Sequence, residues 1–167
     1  FFSVENVQIK DLNFKQTEFS IDYNNFSFFE KILNSINSEH NISFKNSKVF
    51  YKDQFQNIIF LTKIKSLNFS YTDELKQKLN VKLNIFNAPF KIKILNDLVK
   101  KNAAINIESH KLRLDIQNNL DYSKKDITGL LDFKVINKKK KFSYIINNDS
   151  LNFKNNKNNF KGKIDFK

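Results

Sequence analysis

Between Leu79 and Ile85 the chain reads LNVKLNI: Leu79, Val81, Leu83 and Ile85 are apolar, and Asn80, Lys82 and Asn84 between them are polar. A period of two belongs to an extended strand with one dry and one wet face, because successive strand side chains point to opposite sides. The rhythm returns at Phe90, Ile92 and Ile94, at Ile105 and Ile107, and at Leu112, Leu114 and Ile116. It continues at Leu131, Phe133 and Val135, at Phe142, Tyr144 and Ile146, and at Ile164 and Phe166. The earlier chain shows it at Val7 and Ile9, at Phe19, Ile21 and Tyr23, at Ile42 and Phe44, and at Leu67, Phe69 and Tyr71. Polar stretches such as NKKKK (137–141), NNDS (147–150) and NNKNN (155–159) separate the runs, so neighbouring strands should pair as antiparallel hairpins. The expected fold is mainly β, a curved antiparallel meander of roughly a dozen strands.

One segment departs from this period. In SFFEKILNSIN the apolar residues Phe28, Phe29, Ile32, Leu33 and Ile36 form a helical stripe, with Ser27 and Glu30 spaced as a capping box. The spacing predicts one short helix near 27–38. TDELKQKL (72–79) could form a further helical turn, but Leu79 shares the alternation of the strand that follows.

The size of the dry face then becomes the question. About a dozen strands at roughly 4.8 Å spacing make a sheet on the order of 50 Å wide. A helix of about 12 residues is roughly 18 Å long and covers two or three strands. The remaining apolar face needs a sandwich partner, closure into a barrel, or a trough that holds apolar chains from elsewhere. Barrels and sandwiches turn their corners with glycine kinks and bulges. The chain has only two glycines, which favours the open trough, although Asn can take some left-handed positions.

Composition narrows the chemistry. The formal net charge of +12 would ordinarily suggest a nucleic-acid partner. The cations here are 28 lysines and the single Arg113, whereas base and phosphate readers lean on the bidentate guanidinium. Lys, Asn, Ile and Phe make up more than half of the chain, a bias that AT-rich coding would produce without any binding surface. With no Cys, thiol chemistry and thiolate metal sites are excluded. His40 and His110 lie in unrelated contexts, and the adjacent Asp73 and Glu74 would point oppositely on a strand. No nucleophile with its base, metal set or phosphate loop can be assembled, so no enzyme, cofactor or metal is expected. The run Lys138 to Lys141 reads as a solvated hairpin tip, with anionic lipid headgroups or nucleic acid as its other candidate contacts. At 167 residues the chain is sized for one domain, and with Phe at position 1 and Lys167 ending an alternating run it is expected to be a segment of a longer protein.

Both glycines sit in near-copies of one phrase, TGLLDFK (128–134) and KGKIDFK (161–167). Two strands fit between the copies, so the second should run antiparallel to the first, with glycine easing a bend where strand meets turn.

With its strands laid out, the chain resembles the AsmA-like family of bacterial envelope proteins, including the TamB-like relatives. The likeness rests on NISFKNSKVFYKD (41–53), on IKSLNFSY followed by LNVKLNIFNAPFKIKI, on SFFEKILNSIN, and on the two Gly-led strands TGLLDFK and FKGKIDFK. The resemblance implies a β-groove segment spanning 1–167 of a periplasmic protein, tethered to the inner membrane by an anchor outside this sequence. Its implied role is phospholipid transport or outer-membrane biogenesis. The groove lining expected from the alternation is Val81, Leu83, Ile85, Ile92, Ile94, Leu112, Leu114 and Ile116, with acyl chains of phospholipid as the partner and rim lysines near the headgroups. A structural or adhesive β domain with a closed core is the competing expectation, and a nucleic-acid binder the third.

Overall fold

The computed structural model describes residues 11–22, 25, 41–72, 75–155, 157 and 160–166. These form one twelve-stranded sheet. In chain order the strands are β1 (Asp11–Lys15), β2 (Glu18–Ile21), β3 (Asn41–Lys52), β4 (Ile58–Thr72), β5 (Lys76–Ile85), β6 (Ala88–Asp97), β7 (Asn102–Ser109), β8 (Leu114–Asp121), β9 (Ile127–Val135), β10 (Lys138–Ile146), β11 (Ser150–Asn155) and β12 (Phe160–Asp165). From β3 to β12 each strand hydrogen-bonds to the next in sequence, and every one of these pairings is antiparallel. Short local connections make that order the natural outcome of a meander. β12 does not return to β1, so the sheet is open.

Three expectations need correction or delimiting. β1 and β2 pair with the same edge of β3 in the parallel sense, Phe14 opposite Phe44 and Phe19 opposite Val49. Alternation reports which face a side chain takes and carries no information on strand direction. The described residues contain no helix, and the helix expected at 27–38 lies outside them. Residues 76–79 of TDELKQKL belong to β5, where Leu79 pairs with Phe69 and Ile94.

An extra residue runs through three neighbouring strands. β4 carries Lys65 as a bulge against the regular β5, with Ile64 opposite Leu83 and Ser66 opposite Lys82. β3 takes the matching extra step at Asn46, whose φ is 52°, and the break between β1 and β2 repeats it at Gln16, whose φ is 53°. Because all three strands step together, the apolar set stays on one face on both sides of the line. Ser47 is buried on this line, and its Oγ donates to the Lys45 carbonyl at 3.2 Å.

The sheet therefore has an apolar face and a polar face. One cross-strand row on the apolar face runs Phe14, Phe44, Leu67, Val81, Ile92, Ile107, Ile116 and Phe133 across eight strands, and ends at Lys140 on β10. Phe14 and Phe44 stack at 4.8 Å between ring centroids, and Phe19 meets Phe44 edge-on at 5.0 Å. Such cross-strand pairs are the unit of sheet stabilisation. Yet among the described residues only Ile42, Val49, Ile64, Val81 and Ala88 are buried apolar side chains. The rest of the row is half-buried by its own neighbours, without a second layer of described residues on it.

Candidate functional site: the apolar face and the polar-face trough

Seven of the eight predicted lining residues lie together on the apolar face. Val81 faces Ile92, Leu79 faces Ile94 and Leu83 faces Phe90 across β5 and β6, while Ile85 closes the hairpin opposite Ala88. Ile116 and Leu114 continue the surface two strands further, opposite Ile107 and Ser109. Leu112 is the exception. It lies in the turn at 110–113, exposed, and the strand begins at Leu114. The alternation Leu112, Leu114, Ile116 is a coincidence of spacing there, because the two-residue period carries on into the turn.

At one end the apolar face gives way to a polar network. Asn96 Nδ2 donates to Gln77 Oε1 at 2.9 Å, and the Tyr122 hydroxyl donates to Asn96 Oδ1 at 2.6 Å. Partial burial pushes the Tyr122 hydroxyl above its ordinary value of 10.0. Inside the apolar field Asn118 sits opposite Ile105 and Leu131, and the Tyr144 hydroxyl donates to its Oδ1 at 2.9 Å.

The tyrosine explains the first glycine. Gly129 is the third residue of β9, opposite Tyr144, and a Cβ at this position would collide with the phenol ring. Gly162 lies in β12 opposite Phe153, whose ring occupies the same place over it. Tyr144 and Phe153 are themselves a cross-strand pair, so the row Leu120, Gly129, Tyr144, Phe153, Gly162 lays two rings outward over two glycines. Neither glycine has a positive φ. The expected role, easing a bend next to a turn, is thus replaced by clearance for an aromatic ring. The two copies do run antiparallel with β10 and β11 between them.

The described residues also form a concavity away from the groove expected from the apolar residues. A trough of about 900 Å³ lies on the opposite, polar face. One wall is the row Leu95, Ala104, Asn119, Leu130, Ser143, Lys154 and Lys161, and the other includes Asp121, Thr128, Ile145 and Asn152. The strand backbones at Gly129 and Gly162 belong to its floor. Leu95, Leu130 and Ile145 are exposed there. They fall at the polar places of the period, so alternation assigns them to no particular surface. The polar face otherwise carries lysines, some paired: Lys141 and Lys139 lie 3.2 and 3.6 Å from Asp132.

No group of three or more His, Cys, Asp or Glu side chains able to hold a metal occurs among the described residues. No helix among them is long and apolar enough to cross a membrane. No known family model, curated protein or solved structure matches this chain.

Proposed function

We propose that the apolar face accommodates lipid acyl chains, as one segment of an AsmA-like, inner-membrane-anchored protein in the bacterial periplasm that carries phospholipid or serves outer-membrane biogenesis. The observation behind this reading is the uninterrupted apolar row across eight strands, with no second layer of described residues above it. Burying hydrocarbon on such a surface gains about 0.8 kcal/mol per methylene. A row spanning seven strand spacings is about 34 Å long, room for an extended chain. The lipid lies against a curved face lined by Val81, Leu83, Ile85, Ile92, Ile94, Leu114 and Ile116, rather than inside the polar-face trough.

The short helix at 27–38 belongs to the same proposal. Parallel neighbours need a crossover of a dozen or more residues, commonly helical, and residues 22–40 connect β2 to β3.

The test is organic extraction of the purified chain followed by mass spectrometry, beside a Leu83→Asp, Leu114→Asp variant. The reading expects diacyl lipid in the parent and at least about tenfold less in the variant, each carboxylate costing more than the 1.4 kcal/mol that tenfold represents. A parent without lipid, whose apolar face is covered by its own side chains, would establish the closed structural domain instead.

A further inference from the structure

The antiparallel order sends alternate hairpin turns to the same end of the sheet, and at one end each of the four described turns exposes an apolar side chain. These are Phe55 between β3 and β4, Phe86 between β5 and β6, Leu112 between β7 and β8, and Ile136 between β9 and β10. Phe86 is 83% exposed and Phe55 74%, the two most exposed large apolar side chains described. Turns of this kind lie two strand spacings apart, so the tips repeat about every 10 Å along a rim of about 29 Å.

Two of these residues occupy backbone conformations that disfavour them. Phe86 and Asn87 have φ of 48° and 61°, the signature of a tight turn normally filled by Asn and Gly. Ile136, a β-branched residue, has φ 57°, where its side chain is strained. Asn would relieve both positions, and this chain uses Asn freely elsewhere.

Away from the β3–β4 turn, where Asp22 and Asp53 lie, the rim is also cationic. Arg113, Lys138 and Lys140 have no carboxylate partner among the described residues, and Lys111 is held across the rim by donating to the Asn87 carbonyl at 2.9 Å. The opposite end exposes Leu75, itself at φ 55°, and Val99, so a strained apolar turn occurs at both ends; it differs in charge, its lysines alternating with Asp97, Asp121, Asp126 and Asp149.

We infer that this rim docks on an anionic bilayer surface. Phe86 lies 6.0 Å from Phe60 between ring centroids, and Ile58 and Ile59 are exposed beside the Phe55 turn, but the tips themselves repeat about 10 Å apart, a spacing that the fluid headgroup and acyl boundary takes up tip by tip. Cations between the tips supply the attraction to anionic headgroups. The inference does not rest on acyl chains occupying the apolar face. A rim variant that loses vesicles and keeps extractable lipid, and a face variant that does the reverse, separate the two.

The experiment is vesicle co-sedimentation of the 167-residue chain with phosphatidylcholine containing about a third phosphatidylglycerol, against phosphatidylcholine alone. The parent is expected to bind the anionic vesicles, with affinity falling as salt rises. Phe86→Asn with Ile136→Asn should weaken binding at least about tenfold, the equivalent of losing two inserted apolar side chains. The same pair should leave the thermal midpoint near the parent's, the released φ strain offsetting the Phe86–Phe60 ring contact that is lost, which separates lost binding from lost folding. Leu75→Asn with Val99→Asn, at the opposite end, should leave binding unchanged. A parent that ignores anionic vesicles, a rim variant that binds like the parent, or equal loss in the opposite-end variant would overturn the inference. So would a parent that dimerises in sedimentation velocity through these tips and leaves vesicles unbound.

Discussion

At the scale of single residues, this chain uses its backbone exceptions in unexpected places. Nine non-glycine residues described have positive φ, and only two of them are asparagines, Asn87 in a turn and Asn46 within β3. The glycines, by contrast, lie in regular strand under Tyr144 and Phe153. The phrase TGLLDFK was legible as a strand motif, but the ring above it was not, because Gly129 and Tyr144 are neighbours only through the β9–β10 register. Gly129→Ala should therefore behave as an overpacking substitution and cost about 1–3 kcal/mol in urea unfolding. In a Tyr144→Ala background the same substitution should cost much less, since the ring it collides with is gone. Equal costs in both backgrounds would refute ring clearance as the reason for glycine. A different economy holds at the Asp53 turn, where the carboxylate accepts from the Asn57 and Phe55 backbone N–H groups at 2.9 and 2.8 Å. These bonds, the Asn57 backbone bond first, hold its carboxyl below the ordinary 3.8. Their contribution is present above that value and is lost as the pH falls below it.

Among the elements, the period of two was the readable quantity. It identified the strands from β3 to β10 and β12, with β11 counted only as a strand between the two glycine phrases, and the face of each of the seven strand residues in the expected lining, because hydrophobic side chains on one face are what the fold must keep together. It did not reveal that β1 and β2 run parallel to β3. Nor did it show that the alternation slips by one residue at Gln16, Asn46 and Lys65, since each slip is compensated by its neighbour rather than by anything local. The compensation makes a non-additive prediction. Deleting Asn46 alone leaves β3 out of step with both β4 and β1/β2, and should be the most damaging single deletion on the line. Deleting Lys65 as well removes the mismatch with β4 and leaves one only at the edge. The double deletion should therefore melt higher than the Asn46 deletion, by about 2–4 °C if it recovers roughly 1 kcal/mol in a chain of 167 residues. A double deletion that melts lower would show the three extra residues to be independent.

For the whole molecule, the governing fact is the ratio of surface to core. The chain exposes 13080 Å², against roughly 8600 Å² for a compact protein of its mass. An open sheet with five buried apolar side chains described accounts for such an excess, and the sequence anticipated it when the dry face outgrew what one helix covers. The trough was not anticipated, because its apolar residues Leu95, Leu130 and Ile145 stand at the polar places of the alternation. The account consequently makes a claim about sides: lipid contacts the face of Ile92, and the trough of Leu95 on the other face stays free of it. A photo-reactive benzoylphenylalanine placed at position 92 or at position 95 tests this directly in the protein purified with its co-purifying lipid. Irradiation followed by mass spectrometry is predicted to give lipid adducts from position 92 and none from position 95. Adducts from position 95 alone, or from neither position, would contradict it.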